Sequence, residues 1–485
     1  MLFIFIIALF ATLAVPLSAQ DFDKGLLAAQ RGDFATALKE WRPLAEAGHP
    51  VAQKNLGLMY YNGDGVAKDD KEAAYWYRLA AEQGDVLAQT NLGLMYANGL
   101  GVVQDFKEAV KWYRLAADQE YAPAQTNLGV MYDYGLGVVQ DDKQAFKWYK
   151  LAAEQGDAAV QYILGVMYDN GQGVAQDDKQ AIRWYRLAAE QKYAPAQFNL
   201  GVKYANGQGI AQDAKLAAHW YRLAAEQGVA DAQYGLALIY EKGQGSTQDH
   251  KQAITWYKLA AEQGHAAAQY YLGLMYAEGE GVAQDHTEAV KWYRKAADQG
   301  VAAAQNKLGV MYENGTGVAQ DNKEAIKWYK LAAEQGHIRA QYNLSVMHAN
   351  GEAAAQDGKH AVNKWYSEAA EQGDADAQYN LGLMYDHGLG VAPDAKEAVK
   401  WYRLAAEQGH EEAQYQLGVV YDNGKGVAKD TVLAYMWFNI SAANGDELGA
   451  KNRDLMVKQM TSQEIEKGKA MARICMNSNY QDCGY

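Results

Sequence analysis

The sequence predicts an all-α fold, a solenoid of stacked helix pairs, and three observations carry that reading. Twelve tryptophans fall at Trp41, Trp76, Trp112, Trp148, Trp184, Trp220, Trp256, Trp292, Trp328, Trp365, Trp401 and Trp437. They stand 36 residues apart, except for a first interval of 35 and one of 37 before Trp365. A fixed period of that size marks tandem supersecondary units rather than one closed core. Each unit also carries two stretches of helical periodicity. In residues 85–119, Ala88, Leu92 and Tyr96 recur at four-residue steps, and Ala109, Trp112, Tyr113, Ala116 and Ala117 form a second stripe. Finally, a glycine-rich turn of the type Asn-Gly-x-Gly-Val separates the two stripes, as a connection between antiparallel helices requires.

Length alone would give about three domains. Contacts confined to neighbouring repeats let an array grow without a domain break, so one continuous elongated domain is expected. Residues 1–19 read as a secretory signal, an apolar run followed by Pro16 and small residues, with cleavage after Ala19. An uncleaved membrane anchor is the other reading, although the run is shorter than the roughly 20 residues that a span needs. The rest is expected to be exported, periplasmic or secreted, with no membrane span. Residues 20–48 keep Trp41 and Leu44 but lack the glycine-rich turn, which suits a degenerate opening helix pair.

Residues 49–446 hold eleven full repeats. In the first helix a leucine equivalent to Leu92 is present in all eleven, and the glycine equivalent to Gly93 in nine; Ala237 and Ser345 replace it. Glycine within a helix costs about 1 kcal/mol relative to alanine. Its repeated use predicts that the partner helix approaches too closely for a side chain. The first turn glycine, as in Gly63, Gly99 and Gly135, reads as the left-handed stop of the first helix. An aspartate follows in every repeat (Asp69, Asp105, Asp141, Asp321 and Asp394 among them), with Glu or Gln three residues later in eight, which predicts reciprocal capping boxes. These carboxylates are expected to be caps rather than catalysts. Residues 447–485 leave the repeat. Thr461 to Glu464 forms another capping box, ahead of an amphipathic helix and a pair of cysteines, Cys475 and Cys483. In an exported chain that pair reads as a disulfide closing a short loop. The functional alternative, a redox or metal pair, lacks a nearby histidine.

The string A-Q-x-N-L-G-x-M-Y-x-x-G-x-G-V-x-x-D-x-x-x-A-x-x-W-Y-x-x-A-A-x-x-G resembles the Sel-one-like repeat, a relative of the tetratricopeptide repeat, over roughly residues 21–446. The resemblance implies a right-handed α-α superhelix with first helices on the concave side, and a non-enzymatic scaffold for protein partners. Some exported, cysteine-rich members are described as β-lactamases or penicillin binders, so a β-lactamase-like or cell-wall-binding activity is the alternative. This chain has no cysteine in its repeats and no Ser-x-x-Lys, the nucleophile motif of such enzymes.

No cofactor or metal is expected. His49, His265, His337 and His410 share one turn position in different repeats and cannot converge on one ion. A net charge of −14, with basic and acidic residues alternating along each repeat, argues against nucleic acid. The candidate contact surface is an aromatic stripe, one residue per repeat, at Tyr162, Phe198, Tyr234, Tyr270, Tyr342, Tyr379 and Tyr415. An asparagine ladder accompanies it at Asn55, Asn91, Asn127, Asn199, Asn343 and Asn380. Tyrosine and asparagine together suit an extended peptide, or a polysaccharide or peptidoglycan strand. The same residues could equally pack as framework between first helices. The repeat at residues 338–373 departs most, at Ser345, His348, Ala353 and an insertion before Trp365, and reads as a bend, a docking site or a tolerated irregularity.

Overall fold

The computed structural model describes residues 19–349, 366–388 and 391–484. Twenty-five helices and no strand occur among the described residues. Residues 1–18, which carry the signal reading, lie outside them, as do Ala353, Trp365 and the side chains of Tyr342, Ser345 and His348. The repeats divide at Gln248 and Asp249 into two compact bodies, each described by itself. Within each body a first helix packs on the second helix of its own repeat and on that of the repeat before it, as Val86–Asn98 does on Phe106–Ala117 and on Asp70–Glu82. The first body opens with the pair Ala19–Gln30 and Phe34–Glu46. There Gly25 lets the Trp41 ring lie against the backbone, and Trp41 Nε1 donates to Phe22 O at 3.2 Å.

The helix Val86–Asn98 shows how a first helix is built. Asp85 caps it by accepting from Ala88 N, and Gly99 ends it with φ at 68°. Ala88, Leu92 and Met95 are buried. A Cβ on Gly93 would lie 2.7 Å from the Tyr113 ring, so the close approach predicted for that glycine is real. The residue received is the tyrosine that follows the tryptophan. Tyr77, Tyr113, Tyr149, Tyr185, Tyr293, Tyr329 and Tyr402 are among the largest fully buried side chains. Several of the tryptophans that set the period lie further out, although Trp41 and Trp437 are deeply buried. Trp112 is 7% exposed, and Trp220 is half-buried.

The aspartates cap the second helices with a different geometry from the one predicted. Lys107 N and Glu108 N both donate to Asp105 Oδ1, at 2.9 and 3.1 Å. The return bond of a capping box is not made there, because Asp105 N donates to Tyr96 O at 3.0 Å. The carbonyl of the first helix takes the donor that Glu108 would have accepted, and Glu108 turns to Lys111 instead. A reciprocal box does form between Thr461 and Glu464, at the head of the helix Ser462–Asn477.

The turn contains a second glycine whose role the sequence did not disclose. Gly101 has φ at 67°, and a Cβ there would stand 1.9 Å from Asp70 O of the preceding repeat. Where the second turn glycine is described, the turn is thus pressed onto the start of the previous second helix. A glutamine ladder runs beside these contacts. Gln89 is buried, and its Nε2 donates to Ala81 O of the preceding repeat at 3.1 Å. Its Oε1 accepts from Gln119 Nε2 at 2.8 Å, and Gln119 also reaches Gly84 O. Ala81 O, in the last turn of its helix, also accepts from Gly84 N at 3.0 Å, so the glutamine takes the second lone pair of that carbonyl while crossing the joint. In the second body the same bonds run through Gln269, Gln305 and Gln378 to Gln414, where Asn444 takes the donor's place.

The second body closes with the helices Glu447–Val457 and Ser462–Asn477, both packed on Thr431–Ala443. Cys475 and Cys483 are bonded to each other and buried. The tail reverses through Asn479 and Tyr480, both at positive φ, and brings the Tyr480 hydroxyl within 3.0 Å of Asn444 Nδ2.

Candidate partner-binding face

Once Ala88, Gln89, Leu92, Gly93 and Met95 have turned inward, Asn91, Leu94 and Asn98 remain on the opposite side of the first helix. Their spacing of three and four residues places them on one face. Asn91 and Leu94 are half-buried, and Asn98 is exposed. The pattern recurs as Asn127, Val130 and Tyr134, then as Asn199, Val202 and Asn206. Ile163 interrupts the asparagines with an apolar residue. In the second body the same positions hold Tyr271, Leu274 and Glu278, then Asn380, Leu383 and His387. The central valine or leucine is half-buried in every repeat. The sequence reading missed it, although the invariable Val or Leu after the packing glycine was its signal. The result is an apolar midline with carboxamides on either side.

Among the described residues, the predicted aromatic side chains pack on the tyrosine or phenylalanine that follows the tryptophan of their own repeat, and some also on the head of the next first helix. Tyr162 lies with its ring centroid 5.8 Å from Tyr185 of its own repeat and 5.4 Å from Tyr193 at the head of the next. Phe198 packs on Tyr221, and Tyr270 on Tyr271 and Tyr293. Tyr379 packs on Tyr402 and His410. Tyr415 packs on Phe438 and accepts from Asn452 Nδ2 at 3.1 Å. Tyr234 is likewise half-buried. The core tyrosines beneath these rings are withdrawn from water, which raises the Tyr221 hydroxyl to about 12 and the others further. Phenolate chemistry is therefore closed to them. The ladder asparagines also bond within the framework. Asn343 Nδ2 donates to Asn306 Oδ1 at 3.1 Å, Asn380 Nδ2 donates to Asp376 O at 2.7 Å, and Asn55 is buried outright.

The four recurring histidines are helix caps. His49, His265, His337 and His410 each accept a backbone N–H at Nδ1, from Ala52, Ala268, Ala340 and Ala413 at 3.1 to 3.3 Å. They do not converge, and no group of three potential metal ligands occurs among the described residues. Such a cap works only while Nδ1 is unprotonated. Burial lowers the His337 pKa below the ordinary imidazole value of about 6.5. The cap's stabilisation is therefore complete above that value and is lost as pH falls through the lowered folded-state pKa. Hydrogen exchange in the helix Ile338–Ala349 should accelerate as the solution is acidified below the ordinary imidazole range. His337→Asp should remove that acceleration, and its persistence would show that the cap is not its source.

Eleven abutting segments, from 50–85 through to 411–446, match the sequence model of the Sel1 repeat. The chain belongs to the Sel1 repeat family. Ten of the matched Sel1 repeats are 36 residues long, and the ninth, 338–374, has one more. The crystal structure of a protective antigen of uropathogenic Escherichia coli strains, which displays an SLR fold, is similar at 38% identity. It covers 91% of this chain and 96% of its own, with a TM-score of 0.84. A Sel1 repeat protein of Oxalobacter formigenes is similar at 33% identity, over 70% of this chain and 97% of its own, with a TM-score of 0.52. No curated protein matches the chain. Sel1 repeat proteins generally mediate protein–protein interactions, and the solenoid is typically non-catalytic. No described helix is long and apolar enough to cross a membrane.

Proposed function

We propose that this Sel1 repeat protein is a non-enzymatic adaptor of the bacterial envelope that holds an extended protein segment along its first-helix face. One observation carries the reading, the recurrence of a valine or leucine midline edged by carboxamides, as in Asn91, Leu94 and Asn98. Amide side chains can pair with a peptide backbone, and an apolar midline accepts alternate side chains from it. Export rests on the apolar leader in residues 1–19; the similarity to a protective antigen of Escherichia coli accords with it.

The test is capture of partners from envelope extract by the full chain, each identified by mass spectrometry. Val130→Ser with Tyr134→Ala should weaken capture of a given partner at least tenfold, about 1.4 kcal/mol, with helical circular dichroism unchanged. Lys291→Ala with Lys327→Ala, on the second helices, should have no effect. Loss of capture in the lysine pair, with the first-helix pair unaffected, would move the contact surface to the second helices.

A further inference from the structure

The position two residues after the packing glycine holds Met, Ile or Val in ten repeats and lysine in one, at Lys203. That side chain is 7% exposed. Its ammonium donates to Asp169, near the end of the preceding first helix, and to Asp178 Oδ1 at 2.8 Å, at the start of the preceding second helix. The cation thereby spans the joint between the 158–193 and 194–229 repeats. A buried charge of this kind is not a routine source of stability, since a well-packed apolar residue often serves as well or better. Methionine does serve at most of the other joints. The two carboxylates are what distinguish this one.

Only one other repeat pairs carboxylates at those two positions, and it is the repeat immediately before, with Asp133 and Asp142. At that joint the lysine's place is taken by Met167, which is buried. Asp133 accepts from Gln172 Nε2 at 2.9 Å and lies 3.5 Å from the Tyr149 hydroxyl. Asp142 Oδ1 is buried with no hydrogen-bond partner. The titratable groups around Asp133 are Asp142 and Tyr149 on its own second helix and Tyr134 beside it in the chain. The next repeat contributes Gln172 and Met167, neither of which titrates. Burial first, and the Asp142 charge second, raise the Asp133 carboxyl above its ordinary range. A carboxyl raised in the folded state stabilises that state at low pH and loses its effect as pH rises through the folded value.

We propose that the joint between the 122–157 and 158–193 repeats is closed by a proton taken up at Asp133, beside the Asp142 carboxylate, where the following joint uses the fixed ammonium of Lys203. Acid then tightens the first joint and leaves the second unchanged. Neither repeat has a histidine cap that would act in the opposite sense, because their first helices start at Tyr121 and Asp157.

The test is hydrogen exchange with mass spectrometry on the full chain at pH 7.5 and 5.0, corrected for intrinsic exchange rates. In the wild type, protection across residues 122–193 should rise about threefold or more at the lower pH, relative to residues 86–121. Met167→Lys should supply the missing cation, raise protection already at pH 7.5 and abolish the gain in acid. Lys203→Met should add a gain in acid across residues 158–229. If the wild type shows no gain, or if the gain survives in Met167→Lys with helical content intact, the proposal fails. Should Met167→Lys lose helical content, Asp133→Asn decides. Removing one carboxylate charge must flatten the response, and an unchanged response overturns the proposal.

Discussion

Tyr113→Ala is expected to destabilise its repeat by about 3 to 5 kcal/mol, the range for deleting a large buried aromatic side chain. Tyr113 is fully buried, and its ring fills the space left by Gly93. No side chain near Gly93 can collapse into the vacancy, because the helix offers only backbone there. Trp112→Ala should cost less, since that ring lies at the edge of the core with Lys111 Nζ 5.3 Å from its centroid. Hydrogen exchange should show the loss in residues 86–121 and in the repeats on either side, 50–85 and 122–157. Contacts in a solenoid reach only neighbours, so damage stays local. Protection lost evenly from residue 19 to residue 248 would contradict that account.

Gly101→Ala is expected to separate the repeats at 50–85 and 86–121, at a cost of about 2 to 5 kcal/mol. Roughly 1 to 2 kcal/mol comes from forcing a Cβ into the left-handed region, and about 1 to 3 kcal/mol from the clash. The methyl would stand 1.9 Å from Asp70 O, a carbonyl fixed at the start of a helix and unable to swing aside. Gly99→Ala is the control. It carries the same backbone penalty, with φ at 68°, but its Cβ would meet Gln104 Cβ at 3.3 Å within its own turn. Chemical denaturation should therefore separate the two variants, with Gly101→Ala the lower in midpoint. Equal midpoints would show that the turn does not bear on the joint.

The period of the tryptophans, the glycine stops and the packing glycines made the helix pairs legible, because each reflects a local backbone demand that recurs at a fixed interval. What the sequence could not disclose lies across joints. A tyrosine follows ten of the twelve tryptophans, and nothing in the spacing says which of the two is deeper. The aspartate caps were readable, but not that Tyr96 O would claim the N–H that a capping box needs. For the contact surface, the aromatic residues drew attention by their chemistry. The structure sets Tyr162 and Tyr379 against the rings of neighbouring helices, while the plainer Leu94 and Val130 form the midline. Lys203 is the one charged residue at a position otherwise held by Met, Ile or Val, yet its meaning required the two aspartates that the fold brings beside it.

The glutamine ladder bears on how such a chain can change its length. Each link joins a residue to partners at regular separations, 30 residues ahead for the side-chain pair and 8 behind for the carbonyl, with the side-chain pair stretched to 31 in the 338–374 repeat. Removing or copying a block of 36 residues therefore returns each amide to an equivalent partner, and the 37-residue repeat at 338–374 keeps its bond across one extra residue. Recombination between near-identical repeats yields blocks of that size. The same bonds that hold neighbouring repeats together thus leave the number of repeats free to drift in steps of about one period.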